Sequence, residues 1–369
     1  MIGILTFYWA DNYGAMLQAY ALKHHLEKLG EQVCLIPYAP HRLTAGYRLC
    51  PFGIWMEKGS PRLFFPYGIF LRNVQTIGTF LKRRARMRGF RRRYLTSARP
   101  VRKAKNLSLL SCESLLIGSD QVWNPEITFG LDDAYVGNIP RRGDCRISSY
   151  GASFGGARLS EDDQEKFIRC VGGFHGVSVR ERSGAELARR LLGREVDHVL
   201  DPSLLLERSE WEEIGVLPSE KDYILLYLAS YSKPLLCYAQ SLAARLGKTL
   251  VAFSNPASAY YIRDFEPPSG AGPAEFIGYI QNACCVVTNS FHGTALSILF
   301  EKPFLTYCRG ARDIRQKELL EQLGMRSHLM DVDKVVDPME IWAETDWEQV
   351  KLRLAGRREQ SKRFIAEHI

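Results

Sequence analysis

Short apolar runs alternate with stretches of helical periodicity from the first residues of the chain onward. Residues 2–7 form an apolar run rich in β-forming side chains, residues 17–29 repeat apolar side chains at helical spacing, and residues 32–36 form the next apolar run. Strand, turn, helix and strand in this order define a βαβ unit, which requires a parallel sheet covered by helices. The turn at residues 8–14 follows the first strand, at the edge where open α/β sheets bind ligands. A turn of this kind can also serve simply to connect strand and helix.

The same alternation resumes after residue 104 and continues almost to the end of the chain. Further strands are predicted at 114–120, 145–153, 176–180, around 199–202, 223–228, 249–253, 284–288 and 303–307. Helices are predicted at 161–171, 183–192, 234–246, 274–282, 293–300 and 346–367. A polar stretch at 206–221 separates two series. We therefore predict an α/β fold with an N-terminal domain at 1–210, a C-terminal domain at 221–345, a cleft between them, and a C-terminal helix at 346–369.

Composition places the chain among ordinary globular proteins. Of its 369 residues, 46% are hydrophobic and 24% charged, as in typical soluble domains. Its nine cysteines include no C-x-x-C pair and no zinc-ligand spacing, which indicates reduced thiols in a cytoplasmic protein. The N-terminus has no charged segment of a secretory signal, and polar residues interrupt the longest uncharged stretch, 276–300. We therefore expect neither secretion nor a membrane span.

Positive charge is concentrated in one segment that interrupts the α/β pattern. Residues 42–104 are rich in Arg, aromatic residues and Pro, and we interpret them as an insertion in the N-terminal domain. Residues 58–112 hold fifteen of the 49 Lys and Arg and no Asp or Glu, whereas the rest of the chain has 34 basic and 41 acidic residues. Cations interleaved with aromatic side chains favour peripheral contact with an anionic membrane; the alternative is a solvated basic helix packed by its aromatics. Nucleic-acid binding is disfavoured, because no recognition motif accompanies the charge.

The sharpest candidate for chemistry lies at residues 287–295, where a buried strand runs directly into a helix. Asn289 and Ser290 stand at the junction, and His292 follows within the first turn. The free backbone N–H groups of such a helix start can hold a phosphate or carboxylate, and a histidine there can transfer a proton near neutral pH. The simpler interpretation is that Ser290 or Asn289 caps the helix and His292 is a hydrogen-bonded core side chain.

Two further strand ends carry polar clusters. Arg180 and Arg182 flank Glu181 at the end of the strand at 176–180, and the arginine fork suits phosphate or carboxylate. Asp120, Gln121 and Trp123 follow the strand at 114–120, where the polar pair could bind hydroxyls and the indole could stack on a sugar. The alternatives are a solvated charge triplet in the first case and a turn with a core tryptophan in the second. The chain has no G-x-G-x-x-G, phosphate-binding P-loop or Ser-His-Asp signature, which disfavours NAD enzymes, P-loop NTPases and hydrolases of those kinds.

Taken together, these segments resemble the polysaccharide pyruvyltransferase family. The resembling pieces occur in the family's order over residues 2–310: the opening strand with Tyr8, then NYGAMLQAYAL at 12–22, IGSDQVW at 117–123, SYGAS at 149–153, VRERS at 179–183, DPS at 201–203 and SFHG at 290–293. Each motif alone is weak, but six in order are specific. The resemblance implies a glycosyltransferase-B-like fold, in which two Rossmann-like domains face each other across a cleft.

The resemblance also implies a reaction. The donor would be phosphoenolpyruvate, and the acceptor a sugar of a surface-polysaccharide precursor, such as one for capsule or exopolysaccharide. Membrane contact of the basic segment would make sense if the acceptor is attached to a lipid diphosphate carrier. The product would be a pyruvate ketal, and no metal ion or other cofactor is needed. This implies His292 as general acid, Arg180 as anion clamp and Asp120 as base or sugar-hydroxyl ligand. The substrate-binding residues it implies are Asn12, Gly14, Ser153, Arg182, Asn289 and Ser290. Binding to a lipid-linked acceptor would place this cytoplasmic protein at the inner face of the membrane.

One residue departs from the family pattern. Members often carry Arg immediately before the catalytic-type histidine, where it helps to bind the donor, but this chain has Phe291. Either another cation such as Arg180, Arg182, Arg309 or Arg312 takes over, or the donor is not phosphoenolpyruvate. Two other classes therefore stay open. One is a glycosyltransferase using a nucleotide-sugar in the same cleft, although no clear residue pair for ribose and diphosphate is present; the other is a non-catalytic binding protein, which Phe291 favours.

Overall fold

The computed structural model describes residues 1–44, 47, 77–96, 98–107, 112–140, 143–254, 270–308, 310, 313–330 and 337–369. The segment 48–76 lies outside these ranges, and with it much of the predicted basic insertion. Arg309 and Arg312 also lie outside the described residues.

The N-terminal half of the described chain forms a six-stranded sheet. Its strands are β1 (Ile2–Leu5), β2 (Val33–Leu35), β3 (Ser114–Ile117), β4 (Arg146–Ala152), β5 (Gly176–Val179) and β6 (Asp197–His198). Their order is β2-β1-β3-β4-β5-β6, and every neighbouring pair is parallel. Ile4 of β1 lies opposite Leu35 on one side and Leu116 on the other. β1 and β3 are almost entirely apolar, as expected for strands of a parallel sheet that helices cover on both faces.

The C-terminal half forms a second parallel sheet of five strands. They are β7 (Tyr223–Leu228), β8 (Thr249–Ser254), β9 (Cys285–Thr288), β10 (Phe304–Tyr307) and β11 (Leu329–Met330), in the order β11-β10-β9-β7-β8. Counted from its own first strand, each sheet begins 2-1-3-4-5, and the first sheet adds a sixth strand. In this order the chain changes direction across the sheet between the first and third strands, which opens a crevice at their carboxyl ends. The crevices lie between β1 and β3 and between β7 and β9.

Helices connect the strands of both sheets. The α-helices of the described residues are α1 (Tyr13–Lys28), α2 (His41–Thr44), α3 (Ile77–Phe90), α4 (Pro125–Thr128), α5 (Glu161–Val171), α6 (Arg182–Leu192), α7 (Arg208–Ile214), α8 (Lys233–Leu246), α9 (Pro273–Asn282), α10 (Phe291–Leu299), α11 (Ile314–Leu323), α12 (Pro338–Glu344) and α13 (Trp347–His368). A π-helical turn, Arg91–Leu95, directly follows α3. Asn12 and Ser290 cap α1 and α10 by accepting hydrogen bonds from Ala15 N and Gly293 N, as polar N-cap residues do.

Most predicted elements are present within one or two residues of their expected ends, but two predictions are wrong. The region around 199–202 is not a strand: the chain leaves β6 at His198 and forms a 3-10 turn at Pro202–Leu204. The stretch 206–221 is not a purely polar linker, because it contains α7. The indole of Trp211 in α7 is fully buried and donates to the Ser203 carbonyl at 3.1 Å. The prediction also omitted α11, β11 and α12, whose short apolar runs fall between charged residues.

The two halves share part of their hydrophobic core. Tyr13, at the start of α1, stacks on Phe276 of α9 with ring centroids 4.7 Å apart, and its hydroxyl donates to the Ala271 carbonyl at 3.0 Å. The long helix α13 follows the second sheet in sequence but returns to the first: Ser148 Oγ of β4 donates to the His368 carbonyl at 3.0 Å. Within the described residues, none of the helices combines the length and the apolar character that a membrane crossing requires.

Candidate active site

A cavity of about 890 Å³ lies where the carboxyl ends of the two sheets meet. Four loops contribute to its lining: residues 7–10 and 12 after β1, 120–121 after β3, 229–230 after β7 and 289–292 after β9. These are the loops at both crevices, where open α/β sheets bind ligands. The volume is that of a typical small-molecule site. Two parallel sheets with a cavity between them confirm the predicted glycosyltransferase-B-like arrangement of two Rossmann-like domains.

His292 lines this cavity from the first turn of α10 and is almost fully buried. Its Nε2 lies 3.7 Å from Asp201 Oδ2 and makes no hydrogen bond within the described part of the chain. Burial lowers the pKa of the imidazole below its usual value, against the opposing attraction of Asp201 and Asp120. An unpartnered ring nitrogen beside a carboxylate can take up a proton when an anion enters the cavity.

Gly14 determines where the imidazole can lie. An ideal Cβ built on Gly14 would be 2.1 Å from His292 Nδ1 and 2.6 Å from its Cγ. Any larger residue at position 14 of α1 would therefore overlap the imidazole ring. The fold thus brings two separately predicted site residues, Gly14 and His292, into direct contact, although they are 278 positions apart in sequence.

Arg180 sits behind the cavity in a network of charges. Its guanidinium pairs with Asp201 and, through Nη2, lies 3.3 Å from Asp120 Oδ1. Burial alone would raise the pKa of Asp201, but Arg180 and His292 lower it to about 2. Arg180 Cζ lies 4.7 Å from the centroid of the Phe291 ring, and Arg180 is absent from the residues that line the cavity. Its charge is thus balanced by two carboxylates, one of which faces the cavity.

Arg315, which was not predicted from the sequence, supplies a second guanidinium near the Phe291 ring. It lines the cavity, and its Cζ lies 5.9 Å from the Phe291 ring centroid. Its Nε is buried and has no hydrogen-bond partner within the described residues. Burial, with repulsion from Arg180, lowers its pKa to about 10, so it remains a cation at neutral pH. The helix that positions it, α11, was not predicted, and a lone arginine near two others gives no sequence signal.

The remaining predicted substrate-binding residues fall into two groups. Asn12, Asn289 and Ser290 line the cavity. Asn289 also ties two loops together, because its Oδ1 accepts from Ala229 N at 2.8 Å. Ser153 and Arg182 do not line it. Ser153 Oγ donates to the buried Glu181 at 3.0 Å, while the Arg182 side chain is exposed.

Asp120 and Gln121 line the cavity, as expected for a polar turn after β3. The proposed sugar-stacking role of Trp123 is wrong. Its indole is fully buried, donates to the Tyr135 carbonyl at 2.8 Å and packs edge-on against Phe167. Trp123 is therefore a core residue, the simpler of the two interpretations. No group of three or more His, Cys, Asp or Glu among the described residues is arranged to hold a metal ion.

Family comparison agrees with the arrangement of this site. The chain matches the model of the polysaccharide pyruvyl transferase family over residues 12–308. It belongs to that family, and it is accordingly a transferase enzyme of polysaccharide biosynthesis. Among individually curated proteins, none matches it significantly.

Solved structures with similar chain paths are distant in sequence. UDP-GlcNAc 2-epimerase from Neisseria meningitidis bound to UDP-GlcNAc is 12% identical, with 99% of this chain and 98% of that chain covered and a TM-score of 0.48. The Methanocaldococcus jannaschii UDP-GlcNAc 2-epimerase in complex with UDP-GlcNAc and UDP is 12% identical, with 99% of this chain and 98% of that chain covered and a TM-score of 0.44. ADP-heptose LPS heptosyltransferase II from E. coli is 12% identical, with 96% of this chain and 98% of that chain covered and a TM-score of 0.34.

Proposed function

We propose that the chain transfers the pyruvyl group of phosphoenolpyruvate to a sugar of a surface-polysaccharide precursor and forms a pyruvate ketal. The observation that carries this proposal is Arg315, a cation facing the same cavity as His292 without a carboxylate partner among the described residues. It takes the place of the arginine that Phe291 replaces. Phosphate or carboxylate of the donor would bind there through charge-assisted hydrogen bonds.

In the proposed reaction, His292 is the general acid. The arriving anion would raise the low pKa of the imidazole, so that the protonated ring can deliver its proton to the methylene carbon of the donor. The neighbouring carbon then accepts the oxygen of one sugar hydroxyl, whose proton passes to Asp120. The C–O bond to phosphate breaks, and a second hydroxyl of the sugar adds at the same carbon. Asp120 passes the proton of the first hydroxyl to the departing phosphate, and the proton of the second hydroxyl restores His292.

Arg180 and Asp201 position the reacting groups in this scheme. Arg180 holds Asp120 at the cavity wall, and Asp201 lies between Arg180 and His292. The ion pair between Arg180 and Asp201 keeps both charged groups in fixed positions beside the imidazole while substrates bind and products leave. Asn12, Asn289 and Ser290 would contribute hydrogen bonds to the bound molecules.

The proposal predicts a specific effect of Arg315. Titration calorimetry with phosphoenolpyruvate should give measurable binding to the unmodified protein, and Arg315→Gln should weaken it at least about tenfold, since an ion pair in a largely buried site is lost. Arg326→Gln, on an exposed residue outside the cavity, is the matched control. Binding of UDP or a UDP-sugar without binding of phosphoenolpyruvate would replace this proposal with a nucleotide-sugar glycosyltransferase.

A further inference from the structure

A second cavity, of about 260 Å³, adjoins the main one and is strongly cationic. The arginines that line it are Arg84, Arg88, Arg91 and Arg102. Asp11 is the one carboxylate among the described residues that line it. The cavity therefore carries an excess of three positive charges over its described lining.

Two of the arginines belong to the wall itself. Arg91 Nη2 pairs with Asp11 Oδ1 at 2.9 Å, and its Nε donates to the Tyr8 carbonyl at 3.3 Å. Arg102 Nη1 donates to the Ala39 carbonyl at 3.2 Å. The Arg91 bonds fix the loop after β1 against the π-helical turn, and the Arg102 bond ties its guanidinium to the segment after β2.

The other two arginines are open to a ligand. Arg84, Arg88 and Arg91 are spaced i, i+4 and i+7, so α3 and the turn after it present all three on one face. Arg84 is half-buried and Arg88 exposed, and neither makes an ion pair within the described part of the chain. Like charges at this spacing repel each other, and a doubly charged phosphoryl group between their planar forks would relieve that repulsion.

The arginine cavity is continuous with the main cavity, and this position indicates which molecule would carry an anion bound to the arginines. Trp9, Ala39, Thr44 and Tyr47 line both cavities, so one ligand can extend from the arginines into the chamber of His292. The anions of the donor are already met by Arg315 in that chamber. We propose that the arginine cavity binds the phosphate or diphosphate ester that joins the acceptor sugar to its carrier. This inference rests on the proposed function for the identity of the acceptor.

The test measures binding of diphosphates to the full-length protein by titration calorimetry at low salt. The probes are inorganic pyrophosphate, farnesyl diphosphate for an isoprenoid carrier and UDP for a nucleotide carrier. The double variant Arg84→Gln/Arg88→Gln should weaken pyrophosphate binding at least about tenfold. The control Arg92→Gln/Lys105→Gln removes the same charge from exposed residues that line neither cavity and should leave the affinity unchanged. The single variant Arg88→Gln, on an exposed side chain, serves if the double variant is poorly folded.

The outcomes separate this inference from the proposed function. The inference is supported if the Arg84→Gln/Arg88→Gln variant loses binding of pyrophosphate and of either farnesyl diphosphate or UDP but still binds phosphoenolpyruvate. The ester whose binding is lost then identifies the carrier. An unchanged affinity, or pyrophosphate binding lost in Arg315→Gln instead, overturns the inference, because the diphosphate then occupies the donor site. Binding of pyrophosphate with neither ester also overturns it. Failure of phosphoenolpyruvate to bind, with the arginine effect intact, contradicts the donor assignment alone.

Discussion

At the scale of single residues, some of the buried ionisable side chains of the site have charged partners among the described residues and others have none. Arg180 has two carboxylate partners, whereas Arg315 has no ion pair within the described residues and His292 leaves Nε2 without a hydrogen bond. Unpaired buried polar groups cost free energy, so their presence on one cavity marks it as a place where a ligand completes the pairing. The Phe291 ring lies close to both guanidiniums, 4.7 Å from Arg180 Cζ and 5.9 Å from Arg315 Cζ.

The contact between Gly14 and His292 gives a prediction at this scale. Gly14→Ala should lower kcat on the order of 100-fold, because the added methyl overlaps the imidazole and displaces it by about an ångström. Turnover can be followed as phosphate released from phosphoenolpyruvate in the presence of acceptor. Gly356→Ala is the control, since the new methyl meets no atom within 4 Å; it should stabilise α13 by about 0.5–1 kcal/mol and leave turnover unchanged. Full activity in Gly14→Ala would remove the requirement for a fixed His292.

At the scale of elements, two helix starts have different partners. The first turn of α10 lines the cavity with Phe291 and His292. The first turn of α6, where an anion site was considered from the sequence, is already occupied: Arg182 N and Ser183 N donate to the Glu318 carboxylate at 2.6 and 3.2 Å. A side chain of α11 thus satisfies the free N–H groups of a helix in the other half.

Removing the Glu318 carboxylate should weaken the contact between α6 and α11, which joins the two halves of the chain. Glu318→Gln should reduce the free energy of unfolding by about 1.5–3 kcal/mol, because two hydrogen bonds lose their charge and the helix dipole its counter-ion. Chemical denaturation measures this loss. Glu321→Gln on the same helix, which has no such contact, should change stability by less than about 0.5 kcal/mol. Equal effects of the two substitutions would show that the contact contributes nothing.

At the scale of the whole molecule, two sheets with the same strand order place four loops around one cavity. Neither sheet contains the site alone, because His292 and Arg315 come from the second half and Asn12 and Asp120 from the first. The shared core at Tyr13 and the return of α13 to the first sheet hold the two halves together. Stability of the whole chain is therefore linked to buried groups far from the cavity.

His328 makes stability depend on pH. Burial lowers its pKa to about 4; its Nδ1–H donates to the Phe304 carbonyl at 3.0 Å, and its Nε2 lies 2.8 Å from Thr345 Oγ1. The unfolded chain binds this proton more readily, so stability is fully present above about pH 6.5 and falls as the pH drops toward 4. Between pH 7 and 5 the loss from this one group is about 2 kcal/mol.

Denaturation at both pH values tests this linkage. His328→Asn, which cannot take up the proton, should be less stable at pH 7 but lose less stability on acidification than the unmodified protein. Leu242→Ala, a destabilising change of a buried residue that does not titrate, is the control and should keep the original pH dependence. The same slope in His328→Asn as in the unmodified protein would refute the assignment.

The sequence by itself determined most of the strands and helices and five of the residues that line the cavity. Apolar runs of four to six residues between helical stretches specify parallel strands, because buried strands must be apolar on both faces. The site residues recognised from the sequence lie in the loop after a strand or in the first turn of the helix that follows it: Asn12, Asp120, Asn289, Ser290 and His292. The division at residues 210 and 221 stays a prediction.

Only the tertiary structure decided which of these residues share a space. Arg315 lies on a helix whose pattern was too short and charged to be recognised. Its role as a ligand-binding cation depends on its having no ion pair within the described residues. Arg180 looked like a ligand-binding cation until its two acids, distant in sequence, were seen beside it, and Trp123 is core because Phe167 packs against it. The end of a strand can be predicted from the residues next to it in sequence. The charge balance and the burial of a side chain depend on all its neighbours in space, and only the fold brings those neighbours together.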